Sequence, residues 1–426
     1  MQIGAIRPGK PGRQGRGELT DPAPTNDVMP GAQRARGGSN QTGVRAYNER
    51  LALSLVRRHG ALSKADLARL TGLSPQTVSV IMRSLEKDGL LVRDEPVRGR
   101  VGQPSVPMRL AADGAFSIGV KIGRRSAELV LMDFRGEIRA SLAETYRWPE
   151  PQRIIAFALS AYEELTAELS ERERERIAGI GVAIPFELWN WADEVGAPKG
   201  AMEAWRGIDL SRELGSRFPV PVFIENDATA ACGAELVFGR GHEYSDFIYF
   251  FIGFFIGGGI VLDNALFPGR NGNAGAVGSM PVPGAEGRPT QLIDVASLHV
   301  LETELEAAGI DPSALWLSPD DWTGFGDVLE RWIATTSRFL AHAIVAACSV
   351  IDFSAAIIDG GFPGEVRRRL VKATRREMTR LDLQGILTPA IIEGAAGSRA
   401  RAMGGACLPL FSRYLIDLNV LFKEPA

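Results

Sequence analysis

The chain has 426 residues, 45% hydrophobic and 23% charged, with 48 Lys and Arg against 51 Asp and Glu for a formal net charge of −3. This is ordinary globular usage with room for more than one domain. No apolar run approaches the length of a membrane span and the N-terminus lacks the apolar core of a signal peptide, so a soluble, cytoplasmic protein without membrane partners is expected. Cys232, Cys348 and Cys407 are odd in number, widely spaced and in apolar surroundings. They read as buried free thiols, not as a disulfide frame or a metal cluster.

Residues 1–43 are rich in Gly, Pro, Arg and Gln and poor in large apolar side chains, which predicts a disordered basic tail or a passive extension. Arg45 to Arg58 then reads as a helix. Ser63 is a candidate N-cap, Asp66 completes a capping box, and Leu67 and Leu70 are expected to point inward. Gly72 suits a helix end and Ser74 followed by Pro75 suits the next start, so two short helices should meet at a tight turn. In the second helix Val78, Ile81 and Leu85 form the buried stripe, leaving Gln76, Thr77, Ser79 and Arg83 facing out.

Residues 89–93 and 106–110 read as two short strands around the basic, Gly-rich loop 97–104. Residues 44–112 are therefore expected to be a winged helix-turn-helix domain. Its DNA contacts would be Lys64, Ser74, Gln76, Thr77, Ser79, Arg83, Arg98, Arg100 and Gln103. Residues 44–110 hold twelve basic against six acidic side chains, and residues 1–43 hold six against three, so the remainder carries −12. A basic module on an acidic body suits phosphate attraction. On the helix pair alone a plain helical hairpin remains the alternative.

From Phe116 the pattern becomes strand, hairpin, helix and buried strand, an α/β lobe. Strands are expected at 116–122, 127–133 and 177–184, with a helix from Pro151 to about Leu169. The charged run 171–176 reads as a solvated helix end. A second lobe should begin near Asp246, with 246–252 and 256–262 paired as a hairpin. Helices follow at 291–307, 327–349, 365–378 and 398–415, and a strand at 354–358.

Two patches carry a resemblance. Pro221-Val222-Phe223-Ile224-Glu225-Asn226-Asp227-Ala228-Thr229-Ala230-Ala231 and Gly269 to Ser279 resemble the ROK family (repressor, open reading frame, kinase), in its winged-helix regulator branch of xylose and N-acetylglucosamine repressors. The resemblance spans the chain after residue 43. It implies a two-lobed, actin-like (ribonuclease H-like) sugar-kinase fold over residues 113–426, with lobes meeting near 226–246. It also implies a sugar cleft holding Asn226, Asp227, Asn271, Gly275 and Ser279. Asp227 stands at the kinase general-base position; a simple helix N-cap is its alternative role.

Departures from the family pattern bear on activity. Lys121 stands where the kinases carry a carboxylate that helps hold the magnesium of ATP, and Arg125 where Thr would fall. A cation cannot ligate Mg²⁺. Phe254 and Phe255 occupy a phosphate loop that is otherwise Gly-rich. Ala276, Ser279 and Ile293 replace sugar- and zinc-binding residues, and the family's cysteine cluster is missing. No catalytic residue, metal or cofactor is therefore expected. Lys121 and Arg124 read either as exposed cations at a strand end or as contacts for an anionic ligand, and Trp189, Trp191 and Trp205 either as sugar-stacking or as loop anchors. The expectation is a sugar-responsive repressor binding double-stranded operator DNA as a homodimer. A sugar kinase with an appended DNA-binding domain and a DNA-binding protein with a vestigial cleft are the alternatives.

Overall fold

Capping chemistry starts and stops the N-terminal helices. In the computed structural model, which describes residues 41–95, 106–192, 195–198, 200–270, 272–284, 288–317 and 320–416, α1 (Gln41–His59), α2 (Lys64–Thr71) and α3 (Pro75–Lys87) come first. The Ser63 hydroxyl accepts the Asp66 amide while Asp66 accepts the Ser63 amide, Gly72 closes α2 at φ 69°, and the Ser74 hydroxyl accepts the Thr77 amide. Val78, Ile81, Met82 and Leu85 are buried on α3. Leu70, expected inside, is 45% exposed, because the eight-residue α2 buries only a narrow stripe at Leu67. β1 (Leu91–Arg93) and β2 (Met108–Leu110) pair antiparallel as the base of the wing, and Leu62 bridges to Met108. The wing tip with Arg98, Arg100 and Gln103 lies outside the described residues, as do residues 1–40 of the expected tail.

Two five-stranded sheets follow, built to one plan. In the first, β3 (Phe116–Ile122), β4 (Ser126–Asp133) and β5 (Ile138–Thr145) form an antiparallel meander. After α4 (Pro151–Ala167) and α5 (Glu171–Arg174), β6 (Ile177–Ile184) is added parallel to β3, and after α6 (Leu210–Gly215), β7 (Val222–Asn226) parallel to β6. The resulting order is β5-β4-β3-β6-β7.

Helix α7 (Asp227–Phe238) leads to β8 (Phe247–Ile252), β9 (Ile256–Leu262) and β10 (Ala265–Leu266), a second meander. A small ribbon of β11 (Pro281–Pro283) and β12 (Pro289–Gln291) precedes α8 (Ile293–Ala296), α9 (Leu298–Ala307), α10 (Ala314–Leu317) and α11 (Gly326–Cys348). Then β13 (Ala355–Gly360), α12 (Gly364–Met378), β14 (Ala390–Glu393) and α13 (Ala400–Arg413) complete the second sheet and close the described chain. Its order, β10-β9-β8-β13-β14, repeats the first. Every residue of β3, β8 and β13 is buried, as strands covered on both faces require.

The helix expected over 291–307 is two, broken at Ser297. That residue is extended, and its hydroxyl accepts the Ile256 amide and donates to the Ile293 carbonyl. Helix α13 returns to the first lobe and lies on its sheet at backbone distance. A Cβ on Gly119 would fall 1.9 Å from the Ala402 carbonyl oxygen, and one on Gly181 only 1.8 Å from that of Gly405. One buried cluster joins Leu53, Val56, Leu67, Met82 and Leu85 of the DNA-binding helices to Met132 and Phe134 of β4 and its end, and to Ala406, Leu410 and Phe411 of α13. The three cysteines are buried free thiols, as expected, with Cys407 pushed up to about 12 by burial. Among the described residues no helix is long and apolar enough to cross a membrane.

Candidate ligand cleft and DNA-reading surface

A cleft of about 330 Å³ opens at the ends of β6 and β7 and faces the β8–β9 hairpin. Ligand sites in open α/β sheets gather at such strand ends. Asn226 ends β7 and its Oδ1 accepts the Ala228 and Thr229 amides at 3.0 and 3.2 Å, so Asn226, not Asp227, is the helix cap. The alternative role given to Asp227 is thereby corrected, because the residue before it supplies the acceptor. Asp227 is the first helical residue, and its Oδ2 accepts from Arg401 Nη1 at 3.2 Å. Both partners are 14% exposed, and Asp227 lines the cleft.

Of the other predicted ligand residues, Gly275 and Ser279 line the cleft, whereas Asn271 lies outside the described residues. Gly275 has φ 81° and a Cβ there would meet the Gly259 backbone, so the loop can close on β9 only with glycine at this point. The cleft also recruits Glu187, Asn190, Thr229 and Asn273, which sequence reasoning missed. Glu187 is a non-glycine residue at φ 48°, and its carboxylate accepts from Asn190 Nδ2 at 2.6 Å. Their one sequence signal was position, a polar pair just past the end of a buried strand.

Lys121 and Arg124 are not exposed cations at a strand end. Each is 8% exposed, because β3 is a central strand and the β3–β4 turn tucks beneath aromatic rings. Lys121 donates to the Ser126 hydroxyl at 2.8 Å. Burial, then the charge of Arg401, push it down to about 7, while Glu128 and Asp227 pull the other way.

One end of the cleft is walled by aromatic and cationic side chains. Phe255 packs 4.2 Å from the Trp191 ring and 4.8 Å from Phe254, and the Arg124 guanidinium lies 4.3 Å from the Phe255 centroid. Arg125 spans the lobes, donating to the Arg147 and Val195 carbonyls at 2.9 and 3.3 Å and pairing with Glu302 at 3.5 Å. The β8–β9 turn is spoken for as well. Its Gly253 and Phe254 carbonyls accept the Leu298 and His299 amides, and its Ile256 amide donates to Ser297. Trp205 is a buried anchor donating to the Pro149 carbonyl, and Trp191 lines the cleft.

On α3, Ser74, Gln76 and Arg83 are exposed and Thr77 and Ser79 half-buried. Ser74 and Thr77 hydroxyls lie 2.9 Å apart, Lys64 Nζ is 3.5 Å from Ser79 Oγ, and Arg83 Nε donates to the Ser79 carbonyl. Val80 is 52% exposed on this face, an apolar contact suited to a thymine methyl.

A winged helix-turn-helix module fused to two actin-like lobes around a cleft defines a ligand-sensing DNA-binding regulator by architecture. Residues 47–100 match the MarR family and residues 117–292 the ROK family, so the chain joins a MarR-type DNA-binding domain to a ROK-family domain. It is 28% identical over 372 residues to the protein y4fQ of Sinorhizobium fredii, covering 87% of this chain and 92% of that one. It is also 28% identical to the xylose repressor of Bacillus subtilis (57% of this chain, 62% of that one) and to the DNA-binding transcriptional dual regulator NagC of Escherichia coli (58% and 61%). The chain thus spans about three-fifths of the length of those two regulators. A solved ROK family transcriptional regulator, a homologue of the E. coli MLC protein, shares the fold with a TM-score of 0.61 at 20% identity, covering 87% of this chain and 97% of that one.

Proposed function

We propose that this protein is a transcriptional repressor in the cytoplasm that binds a pseudo-palindromic operator as a homodimer and is released by a sugar or sugar derivative in the interlobe cleft. The observation that carries the reading is the path of α13. At its start Arg401 holds Asp227 in the cleft, and its far end is gripped by the DNA-binding domain. Arg50 donates to the Ser412 and Arg413 carbonyls there, and the Ile416 amide donates to Ser54. Fourteen residues span about 21 Å, so one helix, with Pro409 inside it, connects the cleft to the DNA-binding domain that spaces the recognition helices.

The protein is not a kinase on this reading. Phosphoryl transfer rests on positioned phosphates and magnesium, and the packing of Phe255 against Trp191 and Arg124 at one end of the cleft supports the reading that neither is held here. Thermal-shift screening of pentoses, hexoses, sugar acids and sugar phosphates tests the proposal, followed by fluorescence anisotropy with DNA from upstream of the protein's own gene. A true effector raises the melting temperature and lowers DNA affinity, and Asp227→Asn removes both effects. ATP-dependent turnover of a sugar, abolished by Asp227→Asn, would replace the repressor reading with the kinase one.

A further inference from the structure

Strand β6 runs out into the cleft through a loop that presents an aromatic ring to water. Pro185 is buried, Phe186 is 62% exposed, and Leu188 is buried again in the core of the first lobe. Between them Glu187 takes φ 48°, a left-handed conformation that a residue with a Cβ adopts only under constraint. The strained residue turns Leu188 in while Phe186 stays out. Phe186, Glu187, Asn190 and Trp191 all line the cleft. A phenyl ring left bare in a cleft is a surface that the apolar face of a ligand covers better than water does.

The polar groups beside the ring limit what that face belongs to. Glu187 Oε2 accepts from Asn190 Nδ2 at 2.6 Å, and Asn190 Oδ1 accepts from Arg206 Nη2 at 3.3 Å. The pair is thereby fixed, with Glu187 Oε1 and the second Nδ2 hydrogen of Asn190 still without a partner among the described residues. An acceptor and a donor at the edge of an aromatic plane suit a pyranose ring, whose C–H face is apolar and whose rim carries hydroxyls. A plain aromatic group would leave the carboxylate unanswered. The spacing also fits a further ring. Ile184 pairs with Asn226 in the register of β6 and β7, so Phe186 and Glu187 stand two and three residues beyond the level of Asn226, no more than about 11 Å of chain.

We propose that loop 186–191 is an outer subsite and that the cleft takes a disaccharide, one ring among Asn226, Asp227 and Ser279 and the next on Phe186, with its hydroxyls on Glu187 and Asn190. The inference rests on the reading of the cleft as a sugar site and adds the length of the sugar. Phe186 then selects for a second ring, and Glu187 for the hydroxyls that ring carries.

The test is calorimetric titration of the full chain with matched pairs: xylose and xylobiose, glucose and cellobiose, glucose and maltose, N-acetylglucosamine and chitobiose, with phenyl β-glucoside and phenyl β-xyloside alongside. At least one disaccharide is expected to bind tenfold or more tightly than its own monosaccharide. Phe186→Ala, a change at an exposed position, brings that ratio to about one, and Glu187→Gln lowers it at least threefold. If no pair reaches tenfold, or if the ratio is unchanged in both variants, the proposal falls and the sugar-sensor reading stands. A phenyl glycoside that matches the disaccharide and ignores Glu187→Gln also overturns it, because the outer face then belongs to an aromatic group. Silence from every sugar overturns the cleft reading and this inference together.

Discussion

Lys121→Met exposes the cost of burying an ammonium on the central strand of the first sheet. The folded chain holds the Lys121 pKa near 7, against an ordinary 10.5. Between these values the unfolded chain carries a proton that the folded chain lacks, so the group makes stability climb with pH by up to about 1.4 kcal/mol per unit. Below pH 7 both states are charged and the whole burden of a buried ammonium stands, on the order of 5 kcal/mol. Methionine is similar in volume and carries no charge, but it loses the hydrogen bond to Ser126, worth about 1 kcal/mol. Urea unfolding of both proteins at pH 6, 7.5 and 9 should show the variant more stable by roughly 2–3 kcal/mol at pH 6, with the gap narrowing toward pH 9. Taking the difference between the two proteins cancels the titration of every other group. A gap that stays constant with pH, or widens as pH rises, refutes the reasoning.

Breaking the pair of Asp227 and Arg401 should be costly, because both partners are largely buried. Asp227→Asn is expected to lose about 3 kcal/mol in urea unfolding, and adding Arg401→Met should recover part of that loss; strict additivity would deny the coupling. Ser74→Ala removes the acceptor for the Thr77 amide and should destabilise α3 by about 1 kcal/mol, seen as faster amide exchange in its first turn. Arg83→Ala is expected to weaken DNA binding and reduce the slope of log affinity against log salt by about 1; an unchanged slope takes Arg83 out of the interface. Gly405→Ala would push a methyl to 2.6 Å from the Gly181 carbonyl oxygen, and a loss of about 3 kcal/mol is expected in thermal or urea unfolding.

The DNA-binding domain was legible in the sequence because its determinants are local. Ser63 with Asp66, Gly72, and Ser74 with Pro75 fix helix ends within three residues of themselves, and the structure uses each as read. Unbroken apolar strands such as 247–252 were equally open, since burial on both faces writes itself into them, but β10, β14 and the repeated meander-plus-parallel order were not. Leu70 was misplaced because helical periodicity alone does not say how wide a stripe a neighbour covers.

The cleft belongs to the other kind. Asn226 takes the cap locally, but that Asp227 meets Arg401, 174 residues away, depends on where α13 returns to the first sheet, and that return depends on glycines at 119 and 181 admitting a helix backbone. The burial of Lys121 and Arg124, and the stacking of Trp191 on Phe255, likewise join segments far apart in the chain. Local propensity determined which elements this protein would make and where its helices start and stop. Only tertiary packing decided which charges would be shut away from water and which of them would meet.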